Sequence, residues 1–177
     1  MEIVTIPHPA LRKVSSPIDA KDLSGSEFKS LLDDLSTALA TRDDGVGLSA
    51  PQIAVNKRIF VVSGKVFSKE WLNDKKVAGN FPPDEYFINP IITKASKKLA
   101  IAEEGCLSIP RMYGMVKRPA TVSIEYVNVN GEKKEKKATG LLARIFQHEI
   151  DHLDGILFTD KATDLKEMKD DKSNQEL

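Results

Sequence analysis

The chain has 177 residues, and its 26 lysines and arginines balance 26 aspartates and glutamates, so the formal net charge is zero. This length fits a single domain over residues 1–177, and the balance gives no electrostatic reason to expect nucleic acid or an anionic membrane as a partner. One cysteine excludes an internal disulfide, neither a secretory signal nor a membrane-spanning segment is expected, and the predicted location is the cytoplasm.

The first predicted helix covers residues 26–40, where apolar side chains recur on one stripe at helical spacing. Ser24 and Glu27 fit a capping box at its start. The run Asp43-Asp44-Gly45 is expected to end the helical segment, because glycine and aspartate favour turns.

The middle of the chain predicts strands separated by loops. Residues 45–52 (GVGLSAPQ) are too rich in glycine and proline for a helix or a long strand. Strands are predicted at residues 58–63, 86–93 and 98–103. Between the first two strands, residues 64–84 are predicted to form an exposed segment that leaves the sheet.

A hairpin is the next predicted element. Residues 121–129 alternate between apolar and polar side chains, and residues 132–138 form the return strand. Asn130-Gly131 between them favours a two-residue turn of type I′.

The strongest helix prediction covers residues 140–154, with Thr139 as its cap and Gly155 at its end. Its apolar side chains lie on more than one face, which is typical of a buried helix. The polar tail, residues 164–177, is predicted to fray. Helices together with antiparallel hairpin signals predict the α+β class.

The chemical signal of this helix is the HExxH motif His148-Glu149-Ile150-Asp151-His152. Histidines at i and i+4 share a helix face, so both imidazoles can bind one metal ion. Glu149 lies beside that face, where it can reach a water molecule without binding the metal. Burying these polar groups without a partner would be costly, so the motif predicts a metal-dependent hydrolase.

A catalytic site of this kind needs a third protein ligand and one open position. A metzincin-like continuation fails, because Phe158 stands where a third histidine is required. Glu167 and Glu176 are poor candidates in a polar tail, and His8 fits a surface loop between two prolines. Cys106 is the best candidate, since its thiol loses its proton on binding a divalent ion.

Three segments together resemble peptide deformylases: residues 45–52 (GVGLSAPQ), 104–108 (EGCLS) and 147–153 (QHEIDHL). The resemblance extends from Ile6 to about Asp160. It implies antiparallel sheets packed around a central buried HExxH helix, and removal of the N-formyl group from the initiator methionine of nascent polypeptides with release of formate.

The resemblance also implies roles for individual residues. Cys106, His148 and His152 would hold the metal, and Glu149 would act as general base and then general acid. The Gln52 amide and the Leu107 N–H would stabilise the oxyanion. The residues implied in substrate binding fall into two groups, glycines that let an extended peptide approach and apolar residues for the methionine side chain: Gly45, Gly47 and Gly105, and Val46, Leu141 and Ile145.

The implied cofactor is one divalent metal ion, with Fe(2+) expected in the cell and Zn(2+), Ni(2+) or Co(2+) able to replace it. The implied partners are N-formylmethionyl nascent peptides. Residues 160–177 contain six acids and four lysines, which argues against ribosome docking through this tail. Two roles are open for Arg144, a salt bridge or a substrate contact, and the role of residues 64–84 is also open.

Two other classes compete with this reading. Another zinc peptidase would use a carboxylate as third ligand and would be indifferent to Cys106. A binding domain with a structural metal would need a closed site of four protein ligands, and no convincing fourth ligand is found in the sequence.

Overall fold

The computed structural model describes residues 1–168, in which antiparallel sheets pack against helices. The predicted α+β class is confirmed. The helices are α1 (Ser26–Ala40), a short α2 (Lys69–Asn73) and the central α3 (Gly140–Leu153). In this described part, no helix is both long enough and apolar enough to cross a membrane.

The strands of residues 1–168 form a larger and a smaller sheet, both antiparallel. Their bounds are β1 (Gly47–Ser49), β2 (Ile59–Val62), β3 (Glu85–Ala95), β4 (Leu99–Cys106), β5 (Ile109–Pro119), β6 (Thr121–Val127), β7 (Lys133–Thr139) and β8 (Thr163–Glu167).

The larger sheet has the order β1-β2-β3-β6-β7 and lies between α1 and α3. The position of β2 in this sheet explains why its sequence is continuously apolar. Phe60 and Val62 pack into the core around α3, whereas Ile59 and Val61 pack into the core around α1. A strand covered on both faces needs no polar alternation.

The smaller sheet has the order β4-β5-β8 and covers a third core cluster, which includes Leu11, Val116 and Phe158. Strand β5 was not predicted. The predicted fraying of the tail is wrong for its first residues, because β8 pairs with β5 through Met112 and Tyr113. Residues 169–177 of that predicted tail lie outside the described part.

The segment of residues 64–84, predicted to be exposed, is exposed only in part. Val66 and Trp71 are buried. Helix α2 begins after Ser68, whose Oγ accepts a hydrogen bond from the Trp71 N–H at 3.2 Å, and the Lys75 ammonium lies 3.8 Å from the centroid of the Trp71 ring. The buried indole therefore anchors this segment to the core.

The hairpin between β6 and β7 is confirmed, but its predicted turn type is wrong. A type I′ turn needs positive φ at both central residues, and only Gly131 has one, at +79°. The Asn128 side chain accepts from the N–H groups of Asn130 and Glu132 at 3.0 and 2.9 Å. This side chain stabilises a longer loop than the predicted turn.

The helix bounds agree with prediction better than the caps do. Helix α1 begins after Gly25, and no side-chain hydrogen bond caps it, so the capping box of Ser24 and Glu27 is wrong. Thr139 is the N-cap residue of α3 but makes no side-chain cap. Gly155 follows that helix with φ +73°, as predicted for a helix end.

Candidate metal centre

Helix α3 carries the HExxH residues between the two sheets. Phe146 and Ile150 pack into the core of the larger sheet, which turns the histidines toward the smaller one. The rings of His148 and His152 lie 4.9 Å apart between centroids. His152 and Glu149 are only 1% and 4% exposed, so the motif lies inside the protein.

Strand β4 ends at Cys106 and brings its thiol to these histidines. The Cys106 Sγ lies 3.1 Å from Nε2 of His152. The ligand atoms of Cys106, His148 and His152 all lie within 4.8 Å of one another, and no other such group of possible ligands occurs in residues 1–168. One thiolate and two imidazoles form a donor set that suits zinc, iron, nickel or cobalt.

A buried polar atom supports a metal at this position. Oε2 of Glu149 has no hydrogen-bond partner among residues 1–168. Unpaired buried polar atoms are rare in folded proteins because they are costly. Beside three converging donors, this oxygen fits a centre that is completed by an ion and the molecules it binds.

The electrostatic environment also fits a cation. Burial alone would lower the pKa of His148, but hydrogen bonds to Cys106 and Glu104 raise it to about 10, so the acidic groups around this imidazole favour a positive charge there, whether a proton or a metal ion carries it. Burial, and then the charge of His148, lower the pKa of His152 well below its usual range. His152 therefore stays neutral, the form in which an imidazole binds metal.

Glu104, which sequence reasoning missed, stands behind His148. Its Oε2 lies 3.1 Å from Nδ1 of His148, and Arg118 donates to its two oxygens at 2.6 and 2.9 Å. Burial would raise the pKa of Glu104, but Arg118 and His148 hold it far below its ordinary value. A carboxylate in this position fixes the ring orientation of a ligating histidine.

The buried charges around Glu104 form a network that reaches back to α3. Arg118 donates to Oδ2 of Asp151 at 2.8 Å, and Lys161 contacts both oxygens of Asp151 at 2.6 and 2.8 Å. Arg144 donates to Oε1 of Glu104 at 2.5 Å. Of the two roles left open for Arg144, the structure shows the salt bridge.

Gln52 lies in a 3₁₀ turn (Ala50–Ile53) that follows β1. Its Oε1 accepts hydrogen bonds from the Ser49 N–H and Oγ–H at 2.8 and 2.9 Å. Because the carbonyl end is held in this way, Nε2 turns toward Cys106 and Ser108, at 3.6 and 3.3 Å. The Gln52 amide therefore presents N–H groups beside the candidate metal ligands.

A cavity of about 340 Å³ opens over this centre. Every residue that sequence reasoning placed in the site lines it, except His152, which is buried behind. The predicted site residues in this lining are Gly45, Val46, Gly47, Gln52, Gly105, Cys106, Leu107, Leu141, Ile145, His148 and Glu149.

The family model described as polypeptide deformylase matches residues 1–168. The chain belongs to the polypeptide deformylase family. It is 42% identical to a peptide deformylase of Phenylobacterium zucineum over 93% of this chain and 89% of that one, and 42% identical to peptide deformylase 2 of Clostridium perfringens, over 94% and 96%. A crystal structure of the Acinetobacter baumannii class I type b peptide deformylase with Met-Ala-Ser bound has a TM-score of 0.77 and 30% identity, and covers 90% of this chain and 96% of that one.

Membership confirms several predictions. A peptide deformylase is a metal-dependent hydrolase that removes the N-formyl group of nascent polypeptides. The predicted family, fold class and enzyme class are therefore correct, and the cluster of Cys106, His148 and His152 fits the metal dependence.

The glycines of this deformylase are needed for packing as well. A Cβ atom on Gly47 would lie 2.8 Å from Oε1 of Glu149, and one on Gly105 would lie 2.7 Å from the ring of Tyr113. Both contacts are too close for any larger residue without a shift. The predicted approach of a peptide to these glycines stays a prediction.

The residues that sequence reasoning missed in this deformylase are those of the buried charge network. Glu104, Arg118 and Asp151 are 6%, 3% and 9% exposed, yet isolated charges in a sequence are usually exposed. The pairs lie 14 and 33 positions apart, so no local periodicity links them. The only signal was position, since Glu104 lies two residues before Cys106 and Asp151 lies inside HExxH.

Proposed function

We propose that Cys106, His148 and His152 hold the divalent metal of this deformylase and that Glu149 moves the protons of the reaction. The observation that carries the proposal is the convergence of the three ligand atoms within 4.8 Å of one another, next to a buried glutamate on the same cavity. When bound, the ion supplies a Lewis acid that polarises the formyl carbonyl and favours ionisation of water.

We assign Fe(2+) as the ion used in the cell, with Zn(2+), Ni(2+) or Co(2+) able to occupy the same ligands. One thiolate and two imidazoles accept all four ions, so geometry and availability decide which is bound. The carboxylate network behind His148 would fix its ring for any of them.

Glu149 is suited to act as base and then as acid. Burial raises its pKa to about 7, which is near the range in which proton transfer in both directions is efficient. Its carboxylate would accept the proton of the attacking water. It would then give that proton to the amine that leaves when the bond between formyl carbon and nitrogen breaks, and formate is released.

Gln52 and Leu107 are proposed to stabilise the oxyanion that forms from the formyl carbonyl. The Ser49 contacts hold the carbonyl of the Gln52 side chain away from the cavity, which leaves its N–H donors facing the site. The backbone N–H of Leu107, next to Cys106, would be the second donor. Removing one donor of this kind typically costs about 10²–10³-fold in rate.

The substrate is proposed to be an N-formylmethionyl peptide in extended conformation. Val46, Leu141 and Ile145 line the cavity with apolar atoms that suit a methionine side chain. The Acinetobacter baumannii neighbour, which has Met-Ala-Ser bound, supports a peptide that begins with methionine. We further propose that the chain is one catalytic domain that acts in the cytoplasm, without direct contact to nucleic acid or membrane.

The test is formate release from a formyl-Met tripeptide by wild type and by Glu149→Gln at equal metal content. We expect Glu149→Gln to lose about 10²–10⁴-fold in kcat, the usual contribution of a positioned acid or base. Glu125→Gln is the matched control, because it neutralises an exposed glutamate of β6. Wild-type activity in Glu149→Gln, or no formate release by fully metallated wild type, would overturn the proposal.

A further inference from the structure

The N-terminal segment crosses below both loops that carry the proposed oxyanion donors. The Val4 N–H donates to the Gln52 carbonyl at 2.8 Å, and the Ile6 N–H donates to the Ser108 carbonyl at 3.0 Å. One short segment therefore bonds to the backbone of Gln52 and to the residue after Leu107.

These two loops belong to different sheets. Gln52 follows β1 of the larger sheet, whereas Leu107 and Ser108 lie between β4 and β5 of the smaller sheet. Two side-chain contacts also join them: Leu107 packs against the core cluster around α1, and Nε2 of Gln52 donates a hydrogen bond to Oγ of Ser108 at 3.3 Å. That hydrogen bond engages the same amide nitrogen that the oxyanion would need. The backbone bridge leaves the amide free for substrate.

Packing holds the segment in place on both sides. Ile3 packs against the core cluster around α1, and Val4 packs against the cluster below the smaller sheet. Farther along, Leu11 is only 1% exposed in that second cluster. The bridge is thus anchored to the cores of both sheets whose loops it joins.

We infer that residues Val4 and Ile6 are positioning residues, whose backbone N–H groups set the distance between the Gln52 and Leu107 donors. The inference rests on the proposed function, because it needs those donors to act on the oxyanion. A fixed bridge would keep the two donors in place while the oxyanion forms. A displacement of about 1 Å can cost about 10²-fold in rate.

Proline substitutions test the inference, because proline lacks the N–H group. We expect Val4→Pro and Ile6→Pro each to lower kcat by about 10- to 100-fold with KM near that of wild type. Thr5→Pro is the control, because it places the same ring at an exposed residue whose N–H has no partner among residues 1–168, and it is expected to keep wild-type kcat. Val4→Ala keeps the N–H and removes only side-chain packing, so it is expected to lose much less kcat than Val4→Pro.

A spectroscopic readout separates positioning from general disorder. The visible spectrum of the cobalt-substituted enzyme depends on ligation by Cys106 and the histidines, so it is expected to be unchanged in Val4→Pro and Ile6→Pro. Unchanged kcat in both proline variants, or an equal loss in Thr5→Pro, would overturn the inference. Because Ile6 is 45% exposed, Ile6→Pro remains a test if Val4→Pro fails to fold.

Gln52→Ala distinguishes failure of this inference from failure of the proposed function. A large loss of kcat in Gln52→Ala with none in the two proline variants would reject the bridge and keep the oxyanion assignment. Full activity in Gln52→Ala would reject both assignments. A loss of kcat in Gln52→Ala, Val4→Pro and Ile6→Pro, with wild-type kcat in Thr5→Pro, would support the bridge.

Discussion

At the residue scale, Glu104 lies outside the proposed ligand set but is placed to orient one of its members, His148. It accepts from His148, Arg118 and Arg144 at once. We expect Glu104→Gln to weaken metal binding by about 10- to 100-fold, because the His148 ring loses its orienting carboxylate. The variant also removes the carboxylate charge that pairs with Arg118 and Arg144, and breaking a buried ion pair typically costs about 3–5 kcal/mol of unfolding free energy. Competition with a chelator and urea denaturation measure the two effects.

The neighbouring glutamate provides the matched control for that prediction. Glu103 precedes Glu104 on β4 and is exposed. Glu103→Gln makes the same chemical change without touching the buried network, so metal affinity and stability are expected to stay at wild-type levels. Equal metal affinities in the two variants would contradict the role given to Glu104.

At the element scale, α3 joins two functions on opposite faces. One face carries His148 and His152, and the other contributes Phe146 to the aromatic cluster of the larger sheet, with ring centroids 4.8 Å from Phe87 and 5.9 Å from Phe60. We expect Phe146→Ala to lower the free energy of unfolding by about 3–5 kcal/mol, because it leaves a cavity in a fully buried cluster. Urea denaturation of the metal-free protein measures this change.

An exposed apolar residue of another strand is the control for Phe146. Leu99 on β4 is 46% exposed, and Leu99→Ala is expected to change stability by less than about 0.5 kcal/mol. If the two variants proved equally stable, α3 would not be held by this aromatic cluster.

Helix α1 and strand β5 show which elements could be predicted from the sequence and which could not. Helix α1 has the predicted bounds, because its apolar residues face a single core cluster and set a clear period. Strand β5 was missed because Ile109–Pro119 contains two prolines, a glycine and no regular alternation. Its pairing with β4 and β8 defines it, and that pairing is a tertiary contact that local pattern does not contain.

The candidate site also contains residues that a local pattern reveals and residues that only tertiary packing brings together. His148, Glu149 and His152 have a fixed spacing on one helix and could be recognised from the motif alone. Their meeting with Cys106 depends on how β4 packs against α3, a contact across 46 positions for His152. Residues that act together only through such packing, above all Glu104 and Arg118, give no pattern in a single sequence.

At the scale of the whole molecule, the proposed metal centre lies where the two sheets meet, and each sheet also has buried apolar packing of its own. Three separate clusters of buried apolar residues hold α1, α3 and the smaller sheet together. A chain of this size can bury enough surface to fold without a metal. We therefore expect chelation to abolish formate release while the far-UV circular dichroism spectrum stays that of the folded protein.

Metal binding is nevertheless expected to stabilise the fold, because an ion that binds only the native state adds RT ln(1 + [L]/Kd). This is about 2.7 kcal/mol when free metal exceeds Kd by about 100-fold. Thermal denaturation at increasing Zn(2+) measures the shift, and Cys106→Ser, which lacks the thiolate, is expected to shift less. An unfolded metal-free protein would show that the ion is part of the core. An equal shift in Cys106→Ser would place the stabilising ion elsewhere.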